Sequence, residues 1–147
     1  MPKAVRTYNP GRVVITINGF DVTGFADGSF ITIALTADGV TSQVGADGEV
    51  ARAINTDQRV DITLTLQQTS PANDFLSGIY TADVLTCGGV AGPILVQDLC
   101  GTTMLQASNC WVVKLADIEF AKEITNRAWT LQAANAAIHV VGSNTAQ

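Results

Sequence analysis

Four ionisable side chains crowd into seven residues of this chain: Asp117, Glu119, Lys122 and Glu123. Two carboxylates so spaced could act as general acid and base if a cleft shifted their pKa values apart. Their setting reads instead as a solvated connecting segment. The remaining reactive residues are scattered. Cys87, Cys100 and Cys110 form no CxxC pair, and the single His139 completes no zinc site with them at a usual spacing. His139 sits within Ala137-Ile138-His139-Val140-Val141 and reads as a strand residue. Gly24-Phe25-Ala26-Asp27-Gly28 could cradle a phosphate, but no helix follows to supply an N-terminal dipole, so it reads as a turn. There is no GxSxG elbow, P-loop or helix-opening GxGxxG. The expectation is a protein that is not an enzyme and holds no cofactor or metal.

Composition points the same way. The 147 residues suit one domain with a real core. The chain is 47% apolar and only 14% charged, where about 25% charged is ordinary. A surface so poor in charge is suited to contact with other protein. The net charge of −5 argues against tight phosphate binding and permits repulsion of nucleic acid. Met1-Pro2-Lys3-Ala4-Val5-Arg6 lacks the apolar run of a signal peptide, and no stretch is long enough for membrane insertion of this chain. The odd cysteine count then suggests reduced thiols in a cytoplasm.

The elements that would position any site are mostly strands. Val60, Ile62, Leu64 and Leu66 alternate with Asp61, Thr63, Thr65 and Gln67, a strand with one core face and one polar face. Thr69-Ser70-Pro71-Ala72-Asn73-Asp74 then starts a helix over 71–85, with Ser70 as N-cap, Pro71 at N1 and Asp74 in the first turn. Phe75, Leu76, Ile79 and Tyr80 give it an apolar stripe. Earlier, Arg12 to Ile17 and Phe20 to Val22 flank Asn18-Gly19, a hairpin signal. Phe30 to Thr36 is another strand. Ala37-Asp38-Gly39 and Gly45-Ala46-Asp47-Gly48 bracket Val40–Val44, marking 37–49 as a long hairpin loop with its own order. Glu49 to Ile54 resumes. After the break at Cys87–Pro93, Ile94–Leu99 and Thr103–Leu105 read as a hairpin, Asn109–Leu115 as a strand, and Ala128–Ala133 with Ile138–Val141 as a last pair. The pattern predicts a mainly β sandwich or barrel with one flanking helix. Residues 1–147 are expected to form a single domain, with 1–10 as an N-terminal arm and 143–147 as a C-terminal tail.

Four motifs carry a resemblance: Gly24–Gly28, Gln43–Val50, Thr63–Asp74 and Ile118–Leu131. In this order and spacing, over roughly Asn9 to Gly142, the chain resembles a family of bacteriophage structural proteins, the tail tube proteins of contractile-tailed phages. The resemblance implies hexameric rings stacked into a tube, with the sheets of six subunits joining in an inner barrel through which double-stranded DNA passes without specific binding. It implies a tail sheath around the tube, baseplate and tail terminator proteins at its ends, and a place in the virion tail after assembly in the host cytoplasm. It also implies that the 37–49 loop reaches the adjacent ring, placing Thr41, Gln43, Val44, Asp47 and Glu49 at that contact.

A conduit for DNA should be lined by polar groups poor in Lys and Arg. Asp61, Thr63, Thr65 and Gln67 suit such a lining, as do Thr130 and Gln132. An ordinary solvent-facing sheet would look the same residue by residue. Two other readings stay open. One is the tube of a phage-tail-like bacteriocin or secretion system. The other is a monomeric β-barrel module binding a ligand in an interior cavity.

Overall fold

The computed structural model describes residues 5–145; Met1–Ala4, on which part of the signal-peptide expectation and of the N-terminal arm rests, and the last two residues of the C-terminal tail lie outside them. A single 3-10 turn, Pro10–Arg12, leads into β1 (Val13–Ile17) and β2 (Phe20–Asp21). The turn between them is the expected one, with Asn18 at φ 52° and Gly19 at φ 84°, the left-handed angles of a tight hairpin. Then come β3 (Ile31–Leu35), β4 (Val40–Val44), β5 (Val50–Ile54), β6 (Val60–Gln67), α1 (Ala72–Leu85), β7 (Gly92–Asp98), β8 (Met104–Lys114) and β9 (Asn126–Val140).

Among the described residues seven strands form one sheet in the order β2-β1-β7-β8-β9-β6-β3, while β4 and β5 pair only with each other. Each pairing is antiparallel. The sheet curls. Val13 of β1 and Ile31 and Ile33 of β3 line one cleft although four strands separate them in the sheet order. The mainly β architecture with one helix is as the alternation predicted.

The alternating strand behaves as its pattern requires. Val60, Ile62, Leu64 and Leu66 are buried, and Asp61, Thr63, Thr65 and Gln67 face away from the core. Helix α1 lies on the apolar face, burying Ala72, Leu76 and Ile79. Phe75 and Tyr80 pack at its margin, and the Phe75 ring stacks on Phe20 with centroids 4.3 Å apart. Burying a side chain such as Leu76 contributes about 1.5–3 kcal/mol. Ser70 Oγ accepts from Ala72 N at 3.2 Å and donates to the Thr23 carbonyl. It thus holds the first helical N–H and ties the helix start to the sheet, while the cap position itself falls on Pro71, one residue later than expected.

Two expectations on the second half change. The segments expected at Thr103–Leu105 and Asn109–Leu115 merge into one strand, β8 from Met104 to Lys114, and the expected last pair merges into one long strand, β9, ending at Val140. The reason is a bulge. Gln106 pairs with Ile138 but Ala107 with Ala136, leaving Ala137 extra, and Asn135 takes φ 53°. A bulge absorbs such an irregular residue without ending the ladder. The 37–49 loop also proves longer. It is the β4–β5 hairpin, running from Val40 to Ile54 over the turn at Gly45–Gly48, where Gly48 N donates to the Gly45 carbonyl at 2.9 Å.

Candidate functional site

The six residues expected on a lumen face come together on the side of the sheet opposite α1. Strands β6 and β9 place Thr63 beside Thr130 and Asp61 beside Gln132, and Gln132 Nε2 donates to Asp61 Oδ1 at 2.9 Å. Thr65 and Gln67 continue the same face towards the helix start, opposite Ala128 and Asn126. Neighbouring strands extend the pattern into rows. Thr32 of β3 pairs with Thr63, and Lys114 of β8 with Thr130; Ala34 pairs with Asp61, and Trp111 with Gln132. One row therefore reads Thr32-Thr63-Thr130-Lys114 and the next Ala34-Asp61-Gln132-Trp111.

Trp111 and Lys114 were missed from sequence. Alternation within Asn109–Leu115 would put Trp111 and Lys114 on opposite faces. The register shift between Val112 and Lys114 brings both to the polar one. The face is thus mostly uncharged, with Asp61 and Lys114 at its charged points. Its chemistry is hydration and weak hydrogen bonding, with no converging groups for acid–base work.

The five residues expected at a ring-to-ring contact lie on the β4–β5 hairpin but do not form one surface. Thr41 and Gln43 share a face with Ala53 and Ala51, whereas Val44 lies on the other, opposite Val50. Asp47 is used by the turn: its Oδ1 accepts from Glu49 N at 3.1 Å. Glu49 follows that turn, exposed. The more distinctive face carries Val40, Val44, Val50 and Ile54 around Ser42 and Arg52. All four aliphatics are exposed, Ile54 at 76%. Their period-2 spacing was readable in the sequence, but only the pairing register shows that they share a side. Asn55 closes the base, its N bonding Gly39 O at 2.9 Å and its Nδ2 bonding Asp38 O at 3.1 Å.

The other candidate chemistry does not assemble. Asp117, Glu119, Lys122 and Glu123 are all exposed between β8 and β9. Cys87 is exposed, Cys100 half-buried and Cys110 buried, all as free thiols. Burial pushes the Cys110 thiol up to about 12. His139 is an exposed residue of β9 opposite Leu105. Gly24 serves packing: a Cβ there would lie 2.7 Å from Ser70 Cβ, and its φ is 76°. Among the described residues no three His, Cys, Asp or Glu side chains are grouped to hold a metal, and no helix is long and apolar enough to cross a membrane.

The chain thus presents a curled antiparallel sheet with one helix, a polar face and an exposed apolar hairpin. The model of the bacteriophage PhiTE tail tube protein family matches residues 9–141. The chain belongs to that family. This tail tube family member is also 26% identical over 137 residues to "Structural protein ORF10" of Pseudomonas phage KPP10, an alignment covering 88% of this chain and 79% of that protein. Its fold resembles that in the anti-feeding prophage tube-terminating cap, with a TM-score of 0.61 and 13% identity over 99% of this chain and 96% of the other. It also resembles a chain in the sheath/tube terminator structure of an extracellular contractile injection system, PVC, with a TM-score of 0.56 and 16% identity over 88% and 94%. The tail tube family member is thus a phage tail structural protein whose fold recurs in contractile injection machines.

Proposed function

We propose that this protein forms the inner tube of a contractile phage tail, as hexameric rings stacked into a conduit for double-stranded DNA. The observation that carries this reading is the four-strand polar face set opposite the helix, in a chain of the tail tube family. Threonine, glutamine and a single carboxylate hydrate well and offer few cations to phosphate, so DNA slides past without adhering. Among the described residues nothing pairs with the outer side of β3, and a neighbouring subunit would cover that edge as the ring closes. The sheath would surround the tube, baseplate and terminator proteins would meet its ends, and assembly would take place in the host cytoplasm.

Electron microscopy of the concentrated protein, with mass measurement in solution, tests this reading. Sixfold rings or hollow tubes are expected. A persistent monomer with an apolar ligand in the cleft of about 290 Å³ between β1 and β3 would overturn it in favour of a binding module.

A further inference from the structure

The β4–β5 hairpin and the segment 115–125 stand at opposite ends of β6. The hairpin ends at Ile54, and residues 55–59 join it to Val60, where β6 begins. The segment is fastened at the far end, where Gln68 Oε1 accepts from Thr125 N and Oγ1 at 3.2 Å each. The eight residues of β6 separate them, roughly 25 Å at about 3.3 Å per residue.

The two surfaces are complementary. One face of the hairpin presents Val40, Val44, Val50 and Ile54 around the cation of Arg52. At the other end, Leu115, Ile118 and Phe120 line a cleft of about 320 Å³ together with Asp74. These three apolar side chains are exposed, Phe120 at 78%. Arg127 also borders the cleft but is engaged, its guanidinium 5.5 Å from the Phe120 ring centroid and its Nη1 donating to Asp117 O at 3.4 Å. Among the described residues the one ion pair is Asp57–Arg59, so neither Arg52 nor Asp74 has a charge partner among them.

We propose that the apolar face of the hairpin of one copy docks on the Leu115–Ile118–Phe120 cleft of a second copy, with Arg52 meeting Asp74. This deepens, and rests on, the tube reading by naming the surface that receives the hairpin. Donor and acceptor sit at opposite ends of the same strand, so the contact is head-to-tail and repeats from copy to copy along the strand direction. It also accounts for two otherwise costly features. A two-stranded hairpin alone in water is marginally stable, and clustered exposed aliphatics and aromatics mark an interaction surface.

The test is charge exchange, read by sedimentation and electron microscopy of the purified full chain. Arg52→Glu and Asp74→Lys, each alone, should raise the concentration needed for assembly by about tenfold or more, since like charges face each other. The double variant should return close to wild type. Ile54→Asp, on an exposed site, should impair assembly without altering the near-ultraviolet circular dichroism of Trp129. Normal assembly by either single charge variant, or by Ile54→Asp, would overturn the docking. So would a natively folded double variant that fails to recover. Hollow tubes formed normally by all these variants would sink the docking and leave the tube reading standing. Wild-type filaments without a lumen, sensitive to the same exchanges, would support the docking and sink the tube. A wild-type chain that never associates would overturn both.

Discussion

The indole Nε1 of Trp129 donates to Asn73 Oδ1 at 2.9 Å, joining strand β9 to the first turn of α1. Asn73 completes the joint by donating from Nδ2 to Gln67 O at 2.9 Å, so one amide binds the helix start to both β6 and β9. Trp129 is 3% exposed, and its N–H has little access to water as an alternative partner.

Asn73→Ala should therefore cost about 1–3 kcal/mol, the penalty for stranding a buried donor. Urea unfolding followed by tryptophan fluorescence measures it. Asn73→Asp keeps an acceptor for the indole and should lose less.

Leu76 is fully buried between the helix and the sheet. Leu76→Ala should destabilise by about 2–5 kcal/mol through lost burial and the cavity left behind. Thermal unfolding at fixed protein concentration shows the loss as a lowered Tm.

Thr63→Lys with Thr65→Lys tests the polar face. Thr63 is exposed and Thr65 half-buried on the side away from the core, so stability should change by only about 0.5 kcal/mol per site. Two added cations would grip phosphate, and phage carrying the double variant should eject DNA slowly and form fewer plaques. A stable, fully infectious double variant would remove this face from the lumen.

Replacing Val40–Ile54 by a short Gly-Ser linker between Gly39 and Asn55 should spare the core, because every strand residue of the hairpin is exposed. The expected product is a cooperatively folding chain that does not extend into tubes of normal length. Calorimetry and electron microscopy read the two halves of that outcome.

The cysteines should separate by reactivity. At pH 8 a disulfide reagent should modify exposed Cys87 quickly and Cys110 only on unfolding, because the thiol of Cys110 is buried and its pKa is raised to about 12. The unfolded chain ionises this thiol first, so the native state holds the extra proton. Stability from this group is therefore full below the ordinary thiol value and falls as pH rises from there to about 12. Unfolding midpoints at pH 7 and pH 10 in Cys110→Ser and wild-type chains measure the difference.

The sequence by itself determined the local parts. Alternation in Val60–Gln67 set which face of β6 is buried, because side chains in a strand point to opposite sides. Ser70, Pro71 and the apolar stripe announced α1, since capping and helical periodicity are encoded within a few residues. Asn18-Gly19 fixed the first hairpin for the same reason. What tertiary structure decided was pairing. The bulge near Ala137 made one strand of two apparent ones, and the shift before Lys114 moved that residue onto the polar face beside Thr130. A one-residue change of register exchanges the faces of a strand, and register is set by the partner strand, distant in sequence. The same holds for the hairpin, where Val40 meets Ile54 and Val44 meets Val50. The placement of that hairpin and the Phe120 cleft at opposite ends of β6 belongs to the topology, which no local pattern carries.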